Sequence, residues 1–337
     1  MTLRNKKIGI LTVGGDCPGL NAAIRAIVRR GERLGFEVLG IEDGWEGLIG
    51  KVKVKVLKEE DVRGILNVGG TVLGSSNIKP PQIKKRKAKI IKNLEKLQIE
   101  GLIVIGGDTT LELIKDILKN FPVVFIPKTI DNDVEGTDFC LGFWSAVQTA
   151  TNALDNLRTT AKSHHRAIVL EVMGRNFGWI ATYAGLAGGA DFILIPEAKI
   201  DFEKLCKTIK ERTTKGKRFS LIVVSERAVL KRGEDFKIKK SSEEIGEKVA
   251  ELLSKKTGID TRSVRLGHVL RGGVPCAFDR ILGNRFGVAA VECVNKKQFK
   301  KTIILKGDKV LSLPFSKVKG RKKVNPEVYK TASMFFH

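Results

Sequence analysis

The chain has 337 residues, of which 42% are hydrophobic and 29% charged, and its formal net charge is +24. This composition excludes a disordered chain and predicts a globular protein of one large or two ordinary domains. Its apolar runs fall far short of the roughly 20 residues that a membrane-spanning helix needs, so we expect a cytoplasmic protein with no membrane partner. Five scattered cysteines without a C-x-x-C pair indicate neither a disulfide framework nor a zinc site.

The positive charge could serve a polyanionic partner such as a nucleic acid. The basic residues are spread along the whole chain, however, and aromatic residues, at 6%, are too few for base-stacking platforms. A lysine-rich solvated surface explains the charge better, and it would also attract a small phosphorylated substrate. We therefore expect no nucleic-acid partner and keep a basic nucleic-acid-binding protein as the distant alternative.

Apolar, strand-like runs alternate with helical patterns along most of the chain. The first strand is expected at 7–13 and is followed by a helix that begins near Pro18. Continuous apolar strands separated by helices are typical of parallel sheets that are covered on both faces. Further strands are expected at 101–105, 123–126, 167–172, 192–195, 220–224 and 264–270, and further helices at 111–118, 145–157 and 177–187. The sequence thus predicts an α/β protein with two Rossmann-like domains, built on mostly parallel sheets flanked by helices.

Three glycine-containing turns, at 14–19, 69–71 and 106–110, are expected at the carboxyl ends of predicted strands. Open α/β sheets bind ligands at that edge, and glycine lets backbone N–H groups approach an anion. Any one of them could be a plain tight turn, but three such turns favour phosphate binding. The chain has neither the G-x-G-x-x-G fingerprint nor a P-loop.

A group of polar residues follows the predicted strand 123–126, in the sequence Pro-Lys-Thr-Ile-Asp-Asn-Asp. Asp131 and Asp133 could form a solvated turn, or they could accept a proton from an attacking hydroxyl and help to hold Mg²⁺. Asp108 favours the second interpretation, because a parallel sheet would place it beside the Asp131 loop.

Arginines near the ends of later strands are candidate anion receptors, although each could be plain surface charge. The candidates are Arg166 and Arg175, on either side of the strand at 167–172, and Arg262 and Arg271, on either side of the strand at 264–270. From its apolar surroundings alone, His268 is expected in the core and not at a ligand.

The order and residues of these motifs resemble the 6-phosphofructokinases, in the short, bacterial-size form of that family. The resemblance covers nearly the whole chain, and its most specific parts are Thr-Ile-Asp-Asn-Asp at 129–133 and Met-Gly-Arg at 173–175. Gly-Gly-Asp-x-Pro-Gly-x-Asn at 14–21, Gly-Gly-Asp-x-Thr at 106–110 and Leu-Gly-His-x-x-Arg-Gly-Gly at 266–273 complete it.

The resemblance implies a glycolytic kinase that transfers a phosphoryl group from ATP to the 1-hydroxyl of fructose 6-phosphate. Mg²⁺ would be its cofactor, and a homotetramer or homodimer its active unit. Asp131 would be the general base, Thr129, Asp133 and Arg175 further catalytic residues, and Asp108 the metal ligand. Fructose 6-phosphate would be bound by Arg166, Met173, Gly174, Arg175, Glu226, Arg262, His268 and Arg271, with Arg166 and Arg262 serving a neighbouring subunit. The donor would be bound by Gly15, Gly107, Asp108, Thr109, Thr110 and Lys128.

The same resemblance assigns a role to each predicted domain. Residues 1–142 with about 270–305 would form the phosphoryl-donor-binding domain, and 143–269 with about 306–337 the sugar-phosphate-binding domain. The boundary near residue 142 is expected because the glycine-rich turns cluster in the first half of the chain.

The donor side departs from the family pattern in two places. Position 109 is usually glycine in relatives that use ATP and aspartate in those that use pyrophosphate, whereas here it is threonine. Because no acidic group stands there, ATP is the expected donor and a pyrophosphate-dependent enzyme is the alternative. Lys128 occurs with both donors and does not decide. The loop 74–79 lacks an arginine that many relatives carry, which leaves Lys79 as the candidate replacement.

A second class of enzyme stays open at this point. The lipid and NAD kinases share a turn like Gly-Gly-Asp-x-Thr, but they lack the motifs at 129–133 and 173–175.

Overall fold

The computed structural model describes residues 6–76, 78–199, 201–228 and 244–336. Asn77, in the loop that lacks the expected arginine, lies outside the described residues. The chain divides into two compact units, unit 1 with residues 1–145 and 271–322 and unit 2 with residues 146–270 and 323–337. The α/β class is confirmed in both units.

The elements are numbered along the chain. The strands are β1 (Lys6–Thr12), β2 (Phe36–Ile41), β3 (Val54–Leu57), β4 (Gly101–Gly106), β5 (Val123–Pro127), β6 (Ala167–Val172), β7 (Phe192–Leu194), β8 (Ser220–Ser225), β9 (Thr261–Arg265), β10 (Lys301–Lys306) and β11 (Lys309–Pro314). The helices are α1 (Leu20–Arg33), α2 (Glu46–Ile49), α3 (Pro80–Lys85), α4 (Lys87–Lys96), α5 (Asp108–Ile117), α6 (Phe143–His164), α7 (Trp179–Ala187), α8 (Phe202–Thr214), α9 (Ile245–Thr257), α10 (Ala277–Asn295) and α11 (Pro326–Ser333). Within the described residues, no helix combines the length and hydrophobicity needed to span a bilayer.

The described part of unit 1 is built on a seven-stranded sheet in the order β11-β10-β5-β4-β1-β2-β3. Its inner pairs are parallel, while the outer pairs β2–β3 and β10–β11 are antiparallel. All six residues of β4 are buried, as expected of a strand covered on both faces. In the register of the sheet Thr12 pairs with Ile105, and Gly106 with Pro127. The carboxyl ends of β1, β4 and β5 therefore lie side by side.

The antiparallel edge corrects the expected domain assignment. Residues 306–322 were expected in the second domain, but they belong to unit 1. The reason is β11, which turns back after β10 and pairs with it from Lys306↔Lys309 to Lys301↔Pro314.

One face of this sheet is covered by α1 and α10, which pack closely against each other. The close approach depends on glycines in α10. A Cβ on Gly287 would lie 2.6 Å from the Ala23 carbonyl oxygen, and one on Gly283 would lie 2.9 Å from the Ala22 Cβ. Residues with side chains at these two positions would push the helices apart.

The described part of unit 2 has a parallel four-stranded sheet in the order β7-β8-β6-β9. The predicted strand at 264–270 is wrong in position, because β9 ends at Arg265. Gly267 has a φ of +50°, and a 3₁₀ turn follows at Gly267–Arg271. As a result His268 is exposed, and its predicted place in the core is also wrong.

A buried carboxylate joins the start of α10 to the start of α6. Asp279 is fully buried and accepts hydrogen bonds from Gly142 N (2.9 Å), Ser145 N (2.7 Å) and Ser145 Oγ (2.6 Å). Burial raises the pKa of Asp279, and these donors oppose the increase. The carboxylate thus caps the first turn of α6, where backbone N–H groups lack partners within the helix.

Replacing Asp279 by asparagine should destabilise unit 1. In the Asp279→Asn variant an amide NH₂ faces the N–H groups, and we expect the free energy of unfolding to fall by about 2–3 kcal/mol. Urea denaturation measures the change, with the exposed Asp308→Asn as control. Equal midpoints for the two variants would contradict this account of Asp279.

Candidate active site

The first two glycine turns line one cavity in unit 1. Its volume is about 470 Å³, and it is lined by Gly14, Gly15, Asp16, Gly69, Gly70, Thr71 and Ser75. Contrary to prediction, the second turn does not follow a strand but a 3₁₀ turn at Ile65–Asn67. Asn21 of α1 brings it into place, because its Nδ2 donates to the carbonyls of Val68 (3.0 Å) and Gly69 (3.2 Å).

Lys128 holds the first turn through hydrogen bonds from its buried side chain. Only 3% of this residue is exposed, and its Nζ donates to the carbonyl oxygens of Val13 (2.9 Å) and Gly15. Burial lowers the pKa of Lys128. Since Lys128 follows β5 and Val13 follows β1, one ammonium group joins two turns at the same edge of the sheet.

Arg271 is the first residue of the segment 271–322 of unit 1, and its side chain contacts the first turn. Its Nη1 donates to the Asp16 carbonyl (3.3 Å), and the guanidinium lies next to Gly15. A Cβ on Gly15 would lie 2.5 Å from Arg271 Nη1, so a side chain at position 15 would displace the guanidinium. Arg271, expected on the sugar side, thus lies in unit 1 beside the glycine turns.

The third turn joins the same cluster. Gly107 precedes α5, and Asp108, Thr109 and Thr110 form the first turn of that helix. A Cβ on Gly14 would lie 4.0 Å from Thr110 Oγ1 and 3.9 Å from Lys128 Nζ, so the first and third turns meet around Lys128. The exposed Thr109 donates through Oγ1 to Asp108 Oδ1 (3.2 Å).

The acidic loop lies next to the third turn, because Lys128 N donates to Gly106 O (2.8 Å). Asp131 and Asp133 are 6% and 1% exposed, so the alternative of a solvated turn is wrong. The turn-forming role falls to Asn132, which has a φ of +49°.

Asn132 and Thr129 hold this loop in shape. Asn132 Oδ1 accepts from Cys140 N (2.9 Å), and its Nδ2 donates to Asp138 O (3.2 Å). Thr129 Oγ1 accepts from Asp131 N (3.1 Å). The structure thus gathers Gly15, Gly107, Asp108, Thr109, Thr110, Lys128, Thr129, Asp131 and Asp133 in one unit.

Sequence reasoning missed two basic residues of this cluster. Arg321 forms an ion pair with Asp108 (Nε–Oδ2, 2.5 Å), and Lys322 N donates to Asp133 O (2.9 Å). Both stand in the lysine-rich run 317–323, which looks like a solvated surface. Nothing in the sequence of this run distinguishes Arg321 and Lys322 from the other basic residues around them.

The predicted sugar-side residues other than Arg271 lie in unit 2. Met173, Gly174 and Arg175 follow β6, and Arg175 adopts a left-handed φ of +46°. Glu226 holds this turn, because its Oε1 accepts from Arg175 N (2.6 Å) and Gly174 N (3.4 Å). The exposed side chain of Arg175 is thereby presented at the carboxyl edge of the sheet.

Two further arginines share one carboxylate. Arg166 and Arg262, at the start of β6 and in β9, pair with Asp260 through contacts of 2.5 and 3.1 Å. This places them near the amino ends of the strands, away from the turn that contains Arg175. His268 is exposed in the 3₁₀ turn that follows β9.

The carboxylates suit a cation that brings its own ligands. In the described part of the chain, no group of three or more His, Cys, Asp or Glu side chains could form a complete metal site. Mg²⁺ usually takes one or two carboxylates together with water and substrate phosphates. Asp108, at the first turn of α5 beside the glycine turns, fits this mode.

Clustered glycine turns, buried aspartates beside them and arginines near strand ends are typical of an α/β phosphotransferase. Residues 7–294 match the family Phosphofructokinase. The ATP-dependent 6-phosphofructokinase of Corynebacterium efficiens is 43% identical over 341 residues, covering 98% of this chain and 99% of that protein. The pyrophosphate–fructose 6-phosphate 1-phosphotransferase of Streptomyces coelicolor is 44% identical over 343 residues, with the same coverage. The chain belongs to the phosphofructokinase family.

Solved structures agree with this assignment. The Pichia pastoris phosphofructokinase in the T-state is 33% identical, with a TM-score of 0.83 over 98% of this chain. This chain spans 36% of the Pichia chain.

The hydrogen bonds of Glu226 predict a difference between two substitutions. Glu226→Gln keeps an oxygen that can accept from Arg175 N, whereas Glu226→Ala removes it and frees the left-handed turn. We expect the Kd for fructose 6-phosphate to rise about tenfold in the alanine variant and less than about threefold in the glutamine variant. Isothermal titration calorimetry measures both. Equal weakening would show that the charge of Glu226 matters more than its hold on the turn.

Proposed function

We propose that this protein is a 6-phosphofructokinase that transfers a phosphoryl group from ATP to the 1-hydroxyl of fructose 6-phosphate, giving fructose 1,6-bisphosphate in glycolysis. The observation that carries the proposal is the buried Asp131 beside two glycine turns that meet at one lysine, the first of which shares a cavity with a third glycine turn. Pyrophosphate is the alternative donor. We place the enzyme in the cytoplasm.

The donor-side residues of unit 1 would have two roles, which are binding of the donor phosphates and proton transfer. The N–H groups of the turns containing Gly15 and Gly107, together with Thr110, would bind the donor phosphates. Asp131 accepts the proton of the sugar hydroxyl as the new O–P bond forms and the bond from phosphorus to the leaving group breaks. Thr129 holds the backbone of Asp131 through the hydrogen bond from Asp131 N, and Asp133 would assist from the same loop. Catalysis would depend on positioning and charge neutralisation.

The sugar-side residues supply cations for a phosphate and polar groups for a ring. Arg175, Arg271 and His268 would bind fructose 6-phosphate within one subunit, together with Met173, Gly174 and Glu226. Arg166 and Arg262 would bind the sugar phosphate of a neighbouring subunit, which implies a homotetramer or homodimer. A bidentate guanidinium suits a phosphate dianion in each case.

Mg²⁺ is the cofactor that we propose, with Asp108 as its protein ligand. When bound, the ion neutralises charge on the donor phosphates. Thr109 contacts Asp108 and so lies where it would meet the donor.

The general-base role of Asp131 is tested by one substitution. Asp131→Asn keeps the size of the side chain but cannot accept a proton, so kcat should fall by about 10²–10⁴ or more. The Kd for fructose 6-phosphate should stay within about twofold, and exposed Asp155→Asn serves as control. Turnover near the wild-type rate would refute the assignment.

Position 109 tests the choice of donor. Thr109→Gly should favour ATP by removing a β-branched side chain, whereas Thr109→Asp should weaken ATP by at least about tenfold through repulsion of its phosphates. The ratio of kcat/KM for ATP to that for pyrophosphate measures the effect. An unchanged ratio in both variants would place the donor elsewhere.

The function itself is tested by product formation from fructose 6-phosphate and Mg²⁺, with ATP and pyrophosphate assayed in parallel. We expect fructose 1,6-bisphosphate with ATP. Activity with pyrophosphate alone would establish the alternative, and activity with neither would refute the proposal.

A further inference from the structure

The ion pair of Arg321 with Asp108 occupies the carboxylate to which we assign the metal. Their contact is 2.5 Å long, the Asp108 side chain is 12% exposed and that of Arg321 is 37% exposed. Thr109 Oγ1 donates to the other oxygen of Asp108, at 3.2 Å. The guanidinium therefore lies at the first turn of α5, at the same edge of the sheet as the glycine turns.

The backbone of Arg321 is held in this place by its neighbours. Arg321 forms an isolated antiparallel bridge with Val134, and Lys322 N donates to Asp133 O (2.9 Å). Lys322 Nζ donates to the carbonyls of Thr137 (2.7 Å) and Asp138 (2.6 Å). Burial lowers the pKa of Lys322, because desolvation disfavours its charged form. Lys322 thus fixes the chain, while the side chain of Arg321 stays at the surface.

Mg²⁺ and the guanidinium of Arg321 are rival cations for the carboxylate of Asp108. A carboxylate oxygen coordinating Mg²⁺ lies about 2.0–2.1 Å from the ion, and a doubly charged ion at that distance weakens the hold of the carboxylate on Arg321. The two positive charges would also repel each other. The guanidinium of Arg321 would then be available to a second anion, and its planar fork of donors matches a phosphate.

We propose that Arg321 binds the phosphates of the phosphoryl donor, and that Asp108 holds its guanidinium in the donor-free enzyme. The inference rests on the proposed function and adds a donor-binding residue to it. In this account Arg321 exchanges one partner for another when Asp108 takes the metal.

Binding measurements without turnover test this exchange. Arg321→Gln is compared with the exposed Lys319→Gln, which removes one positive charge two residues away in the same segment. Calorimetry gives the Kd for pyrophosphate and for a non-hydrolysable ATP analogue, each with Mg²⁺ and without sugar. Titration with fructose 6-phosphate alone reports on the sugar side, and paramagnetic titration with Mn²⁺ alone reports on the metal.

In Arg321→Gln we expect the donor Kd to rise about tenfold, because one charge-assisted hydrogen bond to the donor is lost. Mn²⁺ should bind at least as tightly as to the wild type, because its competitor is gone, and the sugar Kd should not change. Lys319→Gln should match the wild type. An unchanged donor Kd, or a parallel loss of donor, Mn²⁺ and sugar affinity, would overturn the inference.

These outcomes separate the inference from the function on which it rests. A wild-type protein that binds neither donor nor fructose 6-phosphate refutes the proposed function. A wild type that binds both, with Arg321→Gln equal to it, refutes only the role of Arg321.

Discussion

The donor side of this protein depends on one buried ammonium group. A lysine that is 3% exposed must find acceptors within the protein, because an unpaired buried charge is costly. Lys128 finds them in the carbonyls of Val13 and Gly15. Those carbonyls belong to the turn after β1, Lys128 follows β5, and β4 lies between the two strands. The first turn, the third turn and the aspartate loop are therefore held at one edge of the sheet.

Basic residues from a segment distant in sequence lie beside the aspartates of the site. Asp133 and Asp108 lie beside the segment that carries Lys322 and Arg321, and Lys322 itself is enclosed by carbonyls. Other basic residues form single ion pairs at the surface, such as Lys53–Asp43 and Lys84–Asp116, which contribute little to stability. The exposed pairs do not shape the site, whereas the contacts of Arg321 and Lys322 do.

Local patterns predicted most of the architecture, and contacts distant in sequence account for the failures. The strand at 167–172 was predicted to the residue, because a continuous apolar run between polar residues needs no tertiary information. The strand at 264–270 was misplaced because the left-handed Gly267 ends it early. The second glycine turn was found by its glycines, but its position depends on Asn21, 47 residues away. Arg321 could not be recognised, because its partner Asp108 is 213 residues distant.

The central claim is that the three glycine turns bind the phosphoryl donor. Hydrogen–deuterium exchange, followed by mass spectrometry with and without a Mg²⁺–donor complex, measures this directly. N–H groups that bind a phosphate exchange more slowly with solvent. We predict slower exchange in the peptides that contain 14–16, 69–71 and 107–110. Unchanged exchange in all three, at a donor concentration that saturates the enzyme, would contradict the account.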